Sequence, residues 1–225
     1  MKILAIDTAT KFLSLGIYID GAFYEYNLEL GRRLSPLITV TIKRSLDALG
    51  LEPADMDYFA CGLGPGSFTG LRVGLSTMQG LSWALAKPLI GVPTLDILAL
   101  NAKGRANKAI VTALDAKRGL IYSCFYRNTG AALRKISPYL LLSPEGLARK
   151  IAPRSAILGD ALDPYRETIL KSVRGADLLD RDSWYPKPRN IITLALERVK
   201  DKKRPALSKI MPIYIYPKEC QIKNV

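Results

Sequence analysis

The first hundred residues alternate between apolar runs of strand length and longer segments with helical periodicity. Residues 2–9 form a nearly continuous apolar run, typical of a buried strand, and residues 12–19 form a second. Asp20-Gly21 follows, a two-residue hairpin signal. Residues 22–29 then alternate between apolar and polar positions, as a half-exposed strand does. The pattern therefore predicts a three-strand meander at the beginning of the chain.

The segments after the meander favour an alternation of helices and buried strands. Residues 33–49 place their apolar side chains on one helical face, and residues 57–63 form another buried run. A glycine-rich turn follows, and residues 69–86 have helical periodicity. We expect a short strand at residues 88–92 and a further helix after Pro93-Thr94.

This order of elements restarts near residue 109. Ala109–Asp115 repeats the pattern of Ile3–Asp7, an apolar strand that ends in aspartate, and residues 120–126 follow it as a second strand. Asn128-Thr129-Gly130 stands where Asp20-Gly21 stood. Later segments predict a helix from Ser143, a strand near 155–159, and helices near 163–172 and 188–203.

The repeat predicts an α/β chain with a duplicated ribonuclease-H-like fold of the actin/Hsp70/sugar-kinase type. We expect an N-terminal lobe over residues 1–104 and a C-terminal lobe over residues 105–225. Whether the C-terminal segment packs back on the first lobe stays open. In this architecture nucleotide lies between the two copies, and an aspartate after the first strand faces phosphate and metal.

Composition restricts the chemistry that this chain can perform. An apolar content of 48% and a charged content of 24% are typical of a soluble globular protein. The N-terminus lacks the pattern of a signal peptide and no apolar run is long enough to span a membrane, so a cytoplasmic protein is expected. The chain has no histidine, which excludes Ser-His-Asp and Cys-His catalysis and histidine-ligated metal sites. The cysteines Cys61, Cys124 and Cys220 lack metal spacing, and we expect buried thiols.

The net charge of +13 is concentrated in the second half of the chain. Residues 1–100 carry 8 Lys and Arg against 9 Asp and Glu, whereas residues 101–225 carry 25 against 11. A basic surface attracts nucleic acid through long-range attraction and counterion release, although a high pI also serves solubility alone. The run Lys200-Asp201-Lys202-Lys203-Arg204 is interpreted as a solvated helix end, and its contact with tRNA is a hypothesis.

The segment from Cys61 to Gly74 contains five glycines, one proline and two hydroxyls at a strand-to-helix turn. It matches no standard phosphate loop: Gly70 is followed by Leu71 where a Walker A loop needs lysine, and the dinucleotide pattern finds Ser67 or Thr69 in its last place. The exposed amides of a helix N-terminus can still attract anions, which makes Ser67 and Thr69 secondary anion candidates.

A nucleotide site would draw on the aspartates that end the two repeated strands. Asp7, with Thr8 and Thr10, offers a carboxylate for Mg²⁺ and hydroxyls for phosphate, and Asp115 occupies the equivalent place in the second half. The alternative is an ordinary turn capped by these side chains. No cofactor is expected to be required, and weak nucleotide binding stays open.

The helix over residues 69–86 is apolar around most of its circumference, so it must be covered on more than one side. Burial within its own lobe is one explanation. A helix-to-helix protein interface, paired with the helix at 33–49, is the other, since a stripe of small residues lets another helix approach closely. The residues predicted to contact a partner are Leu37, Thr41, Gly70, Leu71, Gly74, Leu75 and Met78.

The glycine-rich turn and the helix after it resemble the bacterial TsaB (YeaZ) family. The resemblance is carried by Gly62–Gly74 with Gln79-Gly80-Leu81, and it is supported by Ile6–Thr10 and Leu114–Tyr122. The motif in Gly62–Gly74 is highly specific, and the first hundred residues match better than the rest. Leu34 stands where the family commonly has histidine, and Leu63 stands where arginine is frequent. The ending Tyr214-Ile215-Tyr216 lacks the arginine usually found there. The changes at Leu34 and Leu63 remove polar groups and favour a drier contact.

The resemblance implies a duplicated actin-like fold and a role in making N6-threonylcarbamoyladenosine at position 37 of ANN-decoding tRNAs. It implies a non-catalytic scaffold that binds TsaD, the catalytic paralogue, and TsaE, a small ATPase, and that forms a homodimer without them. It places dimerisation on helices of the N-terminal lobe, here 33–49 and 69–86. The alternative from the residues is an ATP-dependent phosphotransferase of the sugar-kinase class that uses Asp7 and Asp115. A peptidase is disfavoured because no nucleophile–base pair is evident.

Overall fold

The computed structural model describes residues 1–105, 108–130, 132–201 and 206–216. The run at 202–204 and Cys220, both singled out from the sequence, lie outside the described residues. The strands are β1 (Lys2–Asp7), β2 (Phe12–Ile19), β3 (Ala22–Glu29), β4 (Tyr58–Gly62), β5 (Leu89–Val92), β6 (Ala109–Lys117), β7 (Leu120–Asn128), β8 (Leu133–Lys135), β9 (Leu140–Leu142), β10 (Ala156–Leu158) and β11 (Asp177–Leu178). The helices are α1 (Leu34–Asp47), α2 (Phe68–Ala84), α3 (Thr94–Ala99), α4 (Pro144–Ala148), α5 (Leu162–Ser172) and α6 (Pro188–Lys200).

The described chain forms two compact units. Unit 1 comprises Met1–Ile97 with Tyr185–Pro212, and unit 2 comprises Leu98–Trp184 with the described residues from Ile213 onward. Helix α6 follows the second sheet in sequence but belongs by its contacts to unit 1.

The sheet of unit 1 has five strands in the order β3-β2-β1-β4-β5. The meander β1–β3 is antiparallel, with the hairpin at Asp20-Gly21 as the sequence predicts, because φ is positive at both residues (46° and 106°). Strands β4 and β5 then add in parallel to β1. Parallel pairing brings the carboxyl ends of β1, β4 and β5 to the same edge of the sheet.

Helices cover both faces of this sheet, which explains the continuous apolar runs of its central strands. On one face, Leu4 and Leu15 belong to a core cluster that includes Ile42 of α1 and Met78 of α2. On the other face, Ile3, Ala5 and Ala60 join a cluster with residues of α6. The carboxyl edge of the sheet, where the glycine-rich turn begins, is therefore supported from both faces.

The main sheet path of unit 2 repeats this topology, with the order β11-β10-β6-β7-β8. Strands β6, β7 and β8 form the antiparallel meander, and β10 and β11 add in parallel to β6. The matching strand order confirms the duplicated ribonuclease-H-like fold. The sequence pattern missed β8, β9 and β11, because runs of two or three residues are too short to show a period. Within the described part of the chain, no helix has the length and apolarity that crossing a membrane requires.

Candidate functional site

The glycine-rich turn joins β4 to α2 and is tied to two neighbouring segments by backbone hydrogen bonds. The N–H of Ser67 donates to the carbonyl of Ala9 (2.7 Å), next to the end of β1. The N–H of Thr94 donates to the carbonyl of Gly64 (2.8 Å), and the Thr94 hydroxyl accepts from the Gly64 N–H (3.0 Å). The turn is thus held between the segments that follow β1 and β5.

The glycines of this turn and of α2 let the β1–β2 connection approach closely. A Cβ atom on Gly74 would overlap the hydroxyl oxygen of Thr8, and one on Gly70 would overlap the Thr8 carbonyl oxygen. A Cβ atom on Gly62 would likewise overlap the carboxylate of Asp7. The Thr8 hydroxyl uses this proximity to donate to the carbonyl of Gly70 (2.8 Å). These glycines therefore serve contacts within unit 1.

Asp7 is sealed beneath the same turn, with 1% of its surface exposed. Its Oδ2 accepts from the Thr94 hydroxyl (2.6 Å) and its Oδ1 accepts from the Ala9 N–H (2.8 Å). Burial raises the pKa of Asp7 to about 6, against the smaller opposing effect of these two hydrogen bonds. Burial and the Asp7 charge also raise the pKa of the Cys61 thiol, which keeps it protonated and unreactive.

The remaining nucleotide and anion candidates of unit 1 have local roles. Thr8 is fully buried, and the Thr10 hydroxyl accepts from the N–H of Phe12 (3.3 Å). Ser67 is the N-cap of α2 and accepts from the Gly70 N–H (3.2 Å), while Thr69 is exposed. The structure thus brings Asp7, Thr8 and Ser67 to one turn, where their polar groups are used in internal hydrogen bonds.

Asp115 lies in β6, the equivalent strand of unit 2, two residues before its end. Its carboxylate accepts from the Lys117 N–H (2.8 Å) and pairs with the Lys117 ammonium (2.7 Å), while the Asp115 N–H donates to Asp160 (2.8 Å). Burial raises the pKa of Asp160 to about 6. Sequence reasoning did not select Asp160 or Thr94. Each is a polar residue just after a buried strand, which is the signal that would have found them.

Five of the residues predicted to contact a partner pack inside unit 1. They are Gly70, Leu71, Gly74, Leu75 and Met78, and each is buried. In the structure these five residues contribute to the packing of their own unit, and their direct contact with a partner stays a prediction. Their periodicity reflects packing of α2 on its own sheet. Leu37 and Thr41 of α1 are half-buried.

The exposed surface of α2 next to α1 is formed by residues other than the predicted partner contacts. Arg72, Ser76, Gly80 and Trp83 are exposed along one stripe of α2, and Trp83 is 81% exposed. Their spacing of four, four and three residues is the signal that sequence reasoning overlooked. A groove of about 560 Å³ lies beside this stripe, lined by Thr39, Ile42, Lys43, Asp47, Glu52, Pro53, Ser76, Thr77, Gly80 and Leu81. We call it the α1–α2 groove.

A family model described as "TsaD: tRNA N6-adenosine threonylcarbamoyltransferase" matches residues 29–161, more than half of the chain. The TsaB protein of Escherichia coli is 29% identical over 221 residues, covering 96% of this chain and 94% of that protein. The chain belongs to the TsaB group of the TsaD family. The Bacillus subtilis TsaB protein is 31% identical over 140 residues, or 61% of this chain and 60% of that protein. The resemblance seen in the glycine motif is thereby confirmed.

Solved structures of YeaZ proteins show the same fold as this TsaB-group chain. YeaZ from Pseudomonas aeruginosa superposes with a TM-score of 0.81 at 24% identity, covering 95% of this chain and 99% of that one. A second structure, of a Pseudomonas aeruginosa protein similar to peptidase YeaZ, has a TM-score of 0.83 at 24% identity, covering 96% and 99%.

Proposed function

We propose that this chain acts in the biosynthesis of N6-threonylcarbamoyladenosine at position 37 of ANN-decoding tRNAs, as a non-catalytic scaffold subunit. The observation that carries the proposal is the match to proteins named for tRNA threonylcarbamoyladenosine biosynthesis along nearly the whole chain. The proposal places the chain in the cytoplasm, together with tRNA.

The geometry at the end of β1 supports a scaffold more than a catalyst. A carboxylate that holds Mg²⁺ must reach solvent or substrate, whereas Asp7 is buried and both its oxygens accept internal hydrogen bonds. The chain also lacks histidine, which removes the most common general base. The proposed role requires no cofactor of this chain's own.

We assign partner docking to the α1–α2 groove and its rim. Ser76, Thr77 and Gly80 are small residues on the α2 wall, and the half-buried Leu81 adds apolar surface, so a partner helix can approach the backbone closely. Trp83 beside the groove is a large, exposed aromatic side chain, the residue type enriched at the energetic centres of interfaces. The proposed occupant is a TsaD-type paralogue, with TsaE joining the complex and a homodimer forming when the paralogue is absent.

Cells depleted of their own TsaB homologue provide the test of this function. Expression of this chain with the TsaD-type partner from the same organism is expected to restore threonylcarbamoyladenosine, measured by mass spectrometry of digested tRNA. The partner alone serves as the control. Restoration by the partner alone, or no restoration by the pair, would reject the proposed function.

Gly80→Arg is expected to abolish formation of the complex while the chain stays folded. A Cβ atom on Gly80 has no neighbour within 4 Å, so the side chain fits the monomer, but it fills the α1–α2 groove with a charged group. Size-exclusion chromatography with the purified partner measures the effect, expected as at least a 100-fold loss of affinity. Gly104→Arg, at another position with no neighbour within 4 Å, is the matched control. An unchanged complex in Gly80→Arg would move the interface elsewhere.

The alternative function is an ATP-dependent phosphotransferase that uses Asp7, at the end of β1, and Asp115, near the end of β6. Their equivalent positions in two repeated sheets favour it, and the sealed environment of Asp7 disfavours it. Calorimetry with Mg-ATP discriminates: tight binding that Asp115→Asn abolishes would support the phosphotransferase and count against the scaffold.

A further inference from the structure

Aspartates cluster at one edge of the sheet of unit 2, where Asp115 pairs with Lys117 and Asp163 pairs with Arg181. Asp115 lies near the carboxyl end of β6, Asp160 follows β10, and Asp163 lies in the first turn of α5. Asp180 and Asp182 follow β11 at the same edge. The opposite edge, where β6, β10 and β11 begin, carries mainly cations. We call it the amino edge of unit 2.

Register places five cations along this edge. Ala109 of β6 is opposite Arg127 of β7, and Arg127 is opposite Arg134 of β8. On the other side, Ile110 is opposite Ala156 of β10, so Lys108 and Arg154 enter their strands at the same level. Arg174 is tied to this level because its carbonyl accepts from the N–H of Arg154 (3.1 Å). We call Lys108, Arg127, Arg134, Arg154 and Arg174 the amino-edge row.

The row crosses the main path of the sheet, from β8 through β7, β6 and β10 to β11. With neighbouring strands about 4.8 Å apart, five strands span roughly 19 Å. Arg127, Arg134, Arg154 and Arg174 are exposed, and Lys108 is half-buried. The amino edge therefore carries five cations across the width of the sheet, four of them exposed arginines.

Internal pairing accounts for little of this charge. Lys108 pairs with Asp177 (2.6 Å), and Arg105 approaches the same carboxylate (3.8 Å). Among the described residues, the four arginines of the row form no salt bridge. Helix dipoles favour cations at the end of α5, near Arg174, but they do not explain Arg127 and Arg134 on strands. The row thus needs a reason other than the stability of unit 2.

Two features of the row work against stability. Arg127 and Arg134 are direct cross-strand neighbours, and like charges in that position are destabilising. Arg154 has a left-handed backbone (φ 61°), a conformation that long side chains rarely adopt and that asparagine or glycine would adopt more easily. A bound polyanion would offset the repulsion between the two cross-strand arginines.

We propose that the amino-edge row binds the phosphate backbone of tRNA directly. This inference rests on the proposed function, because that function brings tRNA to the complex. A line of exposed guanidinium groups fits successive phosphates, each of which can accept two hydrogen bonds from one arginine. The contact is independent of base sequence, so it positions the tRNA and leaves the choice of anticodon to other elements.

The test compares two double variants with the same net charge, using an unmodified ANN-decoding tRNA transcript as the probe. R127E/R134E and R118E/R166E each change the charge of the chain by −4, but Arg118 and Arg166 lie off the row and are exposed. Fluorescence anisotropy with the full-length chain, from 50 to 200 mM KCl, gives Kd and its salt slope. We expect R127E/R134E to weaken binding at least 10-fold and to lower the slope by about 2, and R118E/R166E to stay within twofold of wild type.

A single variant separates binding from folding. R127E places a glutamate opposite Arg134, which is a favourable cross-strand pair. We expect R127E to raise the midpoint of thermal unfolding while it weakens tRNA binding. A structural role for Arg127 would instead lower both quantities.

Two results of this titration would overturn the proposal: no tRNA binding by wild type, or equal weakening of tRNA binding by both double variants. Polyglutamate, an acidic polypeptide, serves as a second probe in the same assay. Loss of polyglutamate binding in R127E/R134E while tRNA binding is unchanged would also overturn the proposal. That result would assign the row to an acidic protein. Failure here is distinguishable from failure of the proposed function. If wild type restores threonylcarbamoyladenosine in cells but R127E/R134E binds tRNA normally, only the amino-edge assignment is wrong.

Discussion

Replacing Gly74 with alanine is expected to lower the free energy of unfolding by about 3 kcal/mol, the upper part of the range for overpacked interiors. The added Cβ atom would overlap the hydroxyl of Thr8, a residue with no exposed surface. Relief requires Thr8 to rotate, which breaks its hydrogen bond to the Gly70 carbonyl and leaves a buried hydroxyl unpaired. Denaturant unfolding followed by circular dichroism measures the change.

Gly80→Ala is the matched control on the same helix. Its Cβ atom has no neighbour within 4 Å, so the change should stabilise the protein by about 1 kcal/mol through helix propensity alone. The double variant T8A/G74A should recover part of the loss, since removing the Thr8 hydroxyl makes room for the new methyl group. Equal stabilities for Gly74→Ala and Gly80→Ala would show that Gly74 does not serve the contact with Thr8.

Asp7→Asn is expected to make the protein more stable than wild type at pH 7, by about 3 kcal/mol. Burial raises the pKa of Asp7 from 3.8 to about 6 in the folded state. Well below pH 3.8 the carboxyl is neutral in both states. Between pH 4 and 6 the folded state holds the extra proton, so the free energy of unfolding falls as pH rises through this window. Asparagine imitates the neutral form and lacks this loss.

The measurement is the difference in unfolding free energy between Asp7→Asn and wild type, taken at intervals from pH 4 to 7. We expect the difference to grow by about 2.4 kcal/mol across this range. Asp160 also has a raised pKa of about 6, but it is present in both proteins and cancels. The exposed Asp182→Asn controls for the loss of one charge. A difference that is constant with pH would show that Asp7 keeps an ordinary pKa.

The glycine motif allows close packing inside unit 1. Glycines at 62, 70 and 74 remove the side chains that would block Asp7 and Thr8 from the turn. The contact is built inside unit 1, and it holds the start of α2 against the end of β1. The outer stripe of α2, with Gly80 and Trp83, is thereby left at a defined position on the surface. A motif that first suggested ligand binding instead orders the helix that we propose for partner docking.

Much of the fold could be predicted because its signals are local. Strand β2 and strand β3 have the predicted bounds, and α2 begins and ends within two residues of its predicted limits. Apolar runs and turn residues act over a few positions, so they are visible in one sequence. The repeat of Ile3–Asp7 at Ala109–Asp115 was visible for the same reason, and the two sheets do share one strand order.

The sites could be predicted only in part, because they depend on which surfaces meet. Periodicity showed that α2 is covered on more than one side, but it could not tell a partner from the chain's own sheet. Met78 and Leu75 are buried in the core of unit 1, whereas Trp83 on the same helix is exposed. Both kinds of residue are apolar, so composition alone does not separate them.

The sequence by itself determined the succession of strands and helices, the duplication, the absence of histidine and the family, because each is written in residue types and short spacings. Only the tertiary structure decided that Thr8 and Asp7 fill the space left by the glycines, and that Arg127, Arg134 and Arg154 share one edge. The physical reason is that burial and charge alignment arise when distant segments pair. Residues 109, 127 and 134 become neighbours only through the register of the sheet.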